Sequence, residues 1–142
     1  MSKSKIEFDS KNIIFEFKTR VRIDDINYGN HLGHDKLISI IHDSRMNYFN
    51  RHEISELMPN ISLGIIIVNL NIDYISQAKF NDFLSVHIAS GDIKNSSFEL
   101  LYKITNSDGI LVGLCSTTMV CFDTNRKKPV KIPDIILEIL KK

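Results

Sequence analysis

Long hydrophobic runs, clustered cysteines and a surplus of charge are all missing from this 142-residue sequence. The most apolar stretch, Ile61 to Leu70, is broken by Ser62, Gly64 and Asn69. It falls well short of the roughly 20 residues needed to cross a bilayer. Positive charge in the first nine residues has no apolar segment behind it, which argues against a signal peptide. Only two cysteines occur, Cys115 and Cys121, on what reads as one strand. At about 3.4 Å per residue they stand roughly 20 Å apart, far beyond the ~7 Å that a disulfide spans. Free thiols fit a reducing cytosol, and two cysteines without clustered ligands argue against a zinc site. Net charge is +1, too little to draw the chain to nucleic acid or an anionic membrane. The short basic run Arg126-Lys127-Lys128 ends in Pro129 and reads as a solvated turn. Repeats, linkers and low-complexity stretches are absent as well.

What is present is globular composition, 43% hydrophobic and 25% charged, at a length that suits a single domain over 1–142. Residues 1–11 read as a loose leader. Over Asn12 to Ile23, Phe15, Phe17, Thr19, Val21 and Ile23 alternate with Glu16, Lys18, Arg20 and Arg22, the period of a half-buried strand. A helix from about His34 to Phe49 is apolar on several sides near its start and should be largely enclosed. Its polar line is Lys36, Ser39, Asp43 and Asn47. One further turn is expected over His52 to Met58, before Pro59. Strand patterns return over Gly64 to Tyr74, Phe83 to Ser90, Ser97 to Thr105 and Ile110 to Asp123. The last is the longest and apolar on both faces, hence central. Pro133-Asp134 opens a short C-terminal helix. Short turns force antiparallel neighbours, so the helix must lie across an antiparallel sheet of about five strands. The class is α+β.

Between the first strand and the helix lies the most unusual stretch, Asp24-Asp25-Ile26-Asn27-Tyr28-Gly29-Asn30-His31-Leu32-Gly33-His34-Asp35. Polar, titratable and glycine residues crowd into one loop that ends at a helix N-terminus, where free N–H groups and the dipole favour negative charge. That combination reads as an active site. Several of its residues also have structural roles open to them. Asp24 and Asp25 suit a turn, Asn30 tolerates positive φ, and His34 or Asp35 suits a helix cap. Tyr28 either lines an acyl or nucleotide pocket or packs.

The register Asp25-Ile26-Asn27-Tyr28-Gly29-Asn30-His31-Leu32-Gly33-His34, followed without a gap by Asp43-Ser44-Arg45, resembles the hotdog-fold acyl-CoA thioesterases of the 4-hydroxybenzoyl-CoA thioesterase-like group. Those proteins read Asp-x-Asp-x-x-Gly-His-Val-Asn-Asn before a helix carrying an acidic residue, a small residue and Arg. The stretch from Ile72-Asp73-Tyr74 to Gly91, the strand entry at Lys94–Phe98 and the last long strand with Thr117 and Thr118 are similar too.

The resemblance implies a hotdog fold, a long central helix wrapped by a five-stranded antiparallel sheet, and hydrolysis of an acyl-CoA or acyl-carrier-protein thioester. The family's second loop Asp is its catalytic carboxylate, and here that position is Asn27. The carboxylate is then expected from Asp25 or from Asp43, the latter as in hotdog lineages that pair a loop amide with a helix-borne acid. His31 matches the family's loop His, which positions the loop or shares the proton work. Gly33 and His34 mark the oxyanion site at the helix N-terminus, and Asn27 orients the carbonyl or the water. No metal and no cofactor are implied, CoA entering as part of the substrate. Two alternatives stand beside this reading: a hotdog enoyl-thioester hydratase and a non-catalytic acyl-binding module. The family pairs sheets edge to edge, which implies a homodimer, or a dimer of dimers (homotetramer); the free thiols are what point to a cytoplasmic setting.

Overall fold

The computed structural model describes residues 5–141, so the first four residues of the expected leader lie outside that range. From residue 5 onward the leader is docked. Ile6 and Phe8 are half-buried, and Asp9 caps the turn Ser10–Asn12 by accepting the Lys11 N–H at 2.9 Å.

Among the described residues the strands and α-helices are β1 (Ile13–Arg20), α1 (His34–Arg51), β2 (Leu57–Met58), β3 (Leu63–Tyr74), β4 (Phe83–Ile93), β5 (Ser97–Asn106), β6 (Leu111–Asp123), β7 (Lys128–Pro129) and α2 (Asp134–Leu140). The strands form one antiparallel sheet in the order β1-β4-β5-β6-β3-β2, with β7 paired to β6. The expected long strands are all present. The sheet exceeds five strands because β2 and β7 are two-residue pairings, too short for any alternation to register. The helical turn expected over 52–58 does not form: Glu53 takes φ 58 and ends the helix, and the chain turns into β2. As anticipated, β6 is the longest strand and lies in the sheet's interior.

Helix α1 lies across one face of this sheet. Leu37, Ile40, Ile41, Ser44, Arg45, Tyr48 and Phe49 are buried, at the three- and four-residue steps that place side chains on one side. Opposite them His42, Asp43 and Asn47 stay exposed, so α1 is enclosed on one face rather than all round. The sheet's inward positions answer with Leu84, Val86 and Ile88 of β4, Phe98, Leu100, Tyr102 and Ile104 of β5, and Met119 of β6, all essentially inaccessible. Each such aliphatic or aromatic side chain contributes about 1.5–3 kcal/mol by leaving water. Helix α2 closes the far end, where Tyr48 donates its hydroxyl to the Ile139 carbonyl at 2.8 Å.

One sheet edge is left open. β2 covers Leu63 and Gly64 of β3 and the Glu56 carbonyl accepts the Ile65 N–H at 2.8 Å, so the open stretch of this edge runs over residues 66–74. Ile66, Ile67 and Val68 lie exposed along that edge. Among the described residues no helix is long and apolar enough to cross a membrane.

Candidate active site

The loop before α1 is built by its own hydrogen bonds. Ile26 and Leu32 form an antiparallel bridge that pinches off residues 27–31. Within it, the Asn27 N–H donates to the His31 carbonyl at 2.8 Å, and the Asn30 N–H donates to the Asn27 carbonyl at 3.0 Å. Asn27 Oδ1 accepts two further bonds, from the Gly29 N–H at 3.0 Å and the His31 N–H at 3.2 Å. Two donors converging on Oδ1 leave Nδ2 as the free end of the amide. Asn30 takes φ 68, the left-handed conformation that asparagine tolerates best among residues with a side chain. Tyr28 projects from the tip, fully exposed.

Two bonds anchor this loop to the fold: the Leu32 N–H donates to the Ala78 carbonyl at 2.8 Å, and the Gly33 N–H to the Asp25 carbonyl at 2.9 Å. Gly33 is the residue on which α1 begins, and no side chain caps the helix. The first intrahelical bond runs from the Leu37 N–H to the Gly33 carbonyl at 3.0 Å. The N–H groups of His34, Asp35 and Lys36 are therefore open, as at any uncapped helix start. Such a triplet, with the helix dipole behind it, is an anion-binding site. Gly33 suits the crowding here. A Cβ on it would stand 2.8 Å from Asp35 Oδ1 and 3.5 Å from Asn27 Cβ. Tyr74 steadies the same end from β3, donating its hydroxyl to the His34 carbonyl at 3.0 Å and meeting the His34 ring edge-on at 6.3 Å.

The residues singled out in the sequence therefore divide. Asn27, His31, Gly33 and His34 come together at the helix start. Asp25 adjoins them through its backbone, while its carboxylate turns back to accept the Arg22 N–H at 2.8 Å. Asp43 does not join them within one protomer: nine residues beyond His34, it lies about 13 Å along the helix. It is exposed there and accepts a bond from Asn47 Nδ2 at 2.9 Å. The Gly33 N–H is already used by Asp25, so the open donors begin at His34. Among the described residues no three His, Cys, Asp or Glu side chains gather as metal ligands.

A cavity of about 460 Å³ runs between α1 and β3, starting one turn beyond the open N–H groups at Ile38. Ile41, Ile66, Ile67 and Leu70 line it, and His42, Arg45 and Glu56 give it a polar end. A larger open cleft, about 1160 Å³, lies on the sheet's opposite face beneath the N-terminal segment, and none of the loop's residues line it.

Sequence reading missed the buried ion network at the cavity's polar end. Arg45, 2% exposed, donates through Nε to Glu56 at 3.2 Å and through Nη1 to the Tyr102 hydroxyl at 3.4 Å. Tyr102 in turn shares a 2.9 Å bond with Thr117. Burial pushes the Tyr102 hydroxyl pKa up, with Arg45 and Thr117 partly opposing. Arg45 stood in plain view in the helix signature, but Glu56 lies past the helix in a segment without period.

The open sheet wrapped about one long helix, with its loop at the helix start, is a hotdog fold. It is shared with the 1,4-dihydroxy-2-naphthoyl-CoA thioesterase of Synechocystis (TM-score 0.83, 16% identity, 89% of this chain and 94% of that one). A Staphylococcus aureus protein solved in complex with CoA is equally similar in shape (TM-score 0.83, 17% identity, 89% and 80%). In sequence, the acyl-CoA thioester hydrolase YbgC of Escherichia coli is 21% identical over 126 residues, covering 87% of this chain and 93% of YbgC. The thioesterase-like superfamily model matches residues 21–140, and the chain belongs to that superfamily.

Proposed function

We propose that this protein hydrolyses acyl-CoA thioesters, with the thioester carbonyl held at the N-terminus of α1. The observation that carries this reading is the uncapped helix start, with the His34, Asp35 and Lys36 N–H groups open beside a loop tied rigidly around Asn27. Donors fixed in advance stabilise the oxyanion of the tetrahedral intermediate without reorganising, and each such donor is worth about 3–4 kcal/mol in the transition state.

Asn27 adds a donor. Its oxygen is committed to two backbone N–H groups, so its Nδ2 end orients the carbonyl oxygen, and it does not serve as a base. His31 positions the loop through its backbone and presents an imidazole on the same flank, Nδ1 lying 3.5 Å from where a Cβ on Gly29 would stand. The acyl group runs into the cavity between α1 and β3, whose lining is mostly isoleucine and leucine. Tyr28 at the exposed tip meets the CoA portion or a second protomer.

The open edge of β3, with Ile66, Ile67 and Val68 uncovered, supports a homodimer joined edge to edge, and a dimer of dimers is compatible with it. Two buried free thiols, Cys115 and Cys121, support a cytoplasmic setting. YbgC is named for acyl-CoA, which favours CoA over a carrier protein as the carrier here. The test is a panel of acyl-CoAs read by thiol release. Loss of enoyl absorbance without thiol release would instead mark a hydratase, and binding without either signal an acyl-binding module.

A further inference from the structure

Hydrolysis needs a carboxylate where the loop offers the neutral Asn27, and an acidic side chain from the helix leans over the same helix start. Within one protomer, Asp25 turns its carboxylate away to Arg22, and Asp43 lies about 13 Å up the helix. Asp35, in the first turn of α1, points back over the helix start. Its Oδ1 lies 2.8 Å from the position a Cβ on Gly33 would occupy, and Asn27 Cβ lies 3.5 Å from the same position. Together these distances hold Asp35 Oδ1 within about 6.3 Å of Asn27 Cβ. No hydrogen bond within the loop consumes the carboxylate, which is exposed to solvent.

We infer that Asp35 is the catalytic base, taking over from the helix side the role that a carboxylate at position 27 would fill from the loop side. The inference rests on the hydrolysis reading. A water held by Asp35 adds its oxygen to the thioester carbonyl carbon and gives its proton to the carboxylate. The carbonyl oxygen becomes the oxyanion at the open N–H groups. As the intermediate collapses, the C–S bond breaks and the thiolate leaves with the proton returned by Asp35. The products are a carboxylic acid and free CoA. Gly33 is small because the base and Asn27 both crowd its α-carbon.

A charge in the first turn also stabilises a helix, so the test must separate the two roles. D35N should lower kcat by about 10²–10⁴-fold, the usual worth of a general base, with KM little changed. D35S keeps a polar residue in the first turn and should lose kcat as heavily. Adding N27D to D35N should restore turnover at least tenfold, because the carboxylate returns from the other side; a purely structural Asp35 gives no such rescue. Wild-type-like kcat in D35N, or a loss that N27D does not relieve, overturns the assignment while hydrolysis by the wild type stands. A wild type that releases no thiol from any acyl-CoA overturns the hydrolysis reading, and the assignment with it.

Discussion

Asn27 and His31 are joined twice across the loop, once through backbone N–H to carbonyl at 2.8 Å and once through the Asn27 side-chain oxygen to the His31 N–H at 3.2 Å. The side-chain bond is what gives position 27 its orientation. An aspartate can accept the same two N–H groups with one oxygen and present the other.

N27D should therefore fold as the wild type does, its charged acceptor strengthening both loop bonds. Its melting temperature should match or exceed the wild type's, measured by calorimetry beside N27A, which loses the acceptor and should melt lower. A melting temperature of N27D well below the wild type's would mean that these two N–H groups do not govern position 27.

D43N should keep turnover within about threefold of wild type, since Asp43 faces solvent about 13 Å from the open N–H groups. Initial-rate kinetics on a single good substrate decide it. A large fall in kcat would place a second protomer's helix at the site.

E56Q should leave the Arg45 guanidinium without its carboxylate, at a depth where its side chain is 3% exposed. Breaking a buried pair costs about 3 kcal/mol, or about 10 °C in Tm at this chain length. Calorimetry of E56Q beside the double variant R45M/E56Q tests this. Removing both charges should recover much of the loss, because the uncompensated cation is what costs.

Burial pushes the Cys115 thiol up to about 12 and the Cys121 thiol to about 11. Both folded values lie above the ordinary 9.0, so the unfolded chain releases these protons first. Their contribution to stability is intact below about pH 9 and is lost as pH rises through the folded values. Chemical denaturation at pH 8 and pH 10.5 should show a lower midpoint at the higher pH. Native protein should also give negligible reaction with a thiol-reactive chromogen, and two equivalents once unfolded.

V68D places a charge on the open edge of β3, where Val68 is exposed and sits at a bulge in the pairing with β6. It should convert a dimer to monomer in light scattering at micromolar concentration. A wild-type protein that is already monomeric at that concentration would remove the edge-to-edge pairing.

Much of the fold was legible because its long elements carry strong periods. Phe98, Leu100, Tyr102 and Ile104 announced β5 by simple alternation, and the Leu37–Phe49 spacing announced α1. β2 and β7 were invisible because a two-residue pairing has no period. Glu53 took a left-handed φ that its residue type does not advertise. The site was legible as a place more than as a mechanism. Asn27, His31 and Gly33 share one loop by spacing alone, but the direction of each carboxylate depended on hydrogen bonds to Arg22 and Asn47 that no spacing rule supplies. Asp35 read only as a possible helix cap until its distance to Gly33 was known.

The decisive measurement is thiol release from a graded panel of acyl-CoAs, made on the wild-type protein beside D35N. The wild type should hydrolyse at least one acyl-CoA saturably, with turnover reduced at least about a hundredfold in D35N. Acyl-CoA binding with no thiol released by the wild type would contradict it.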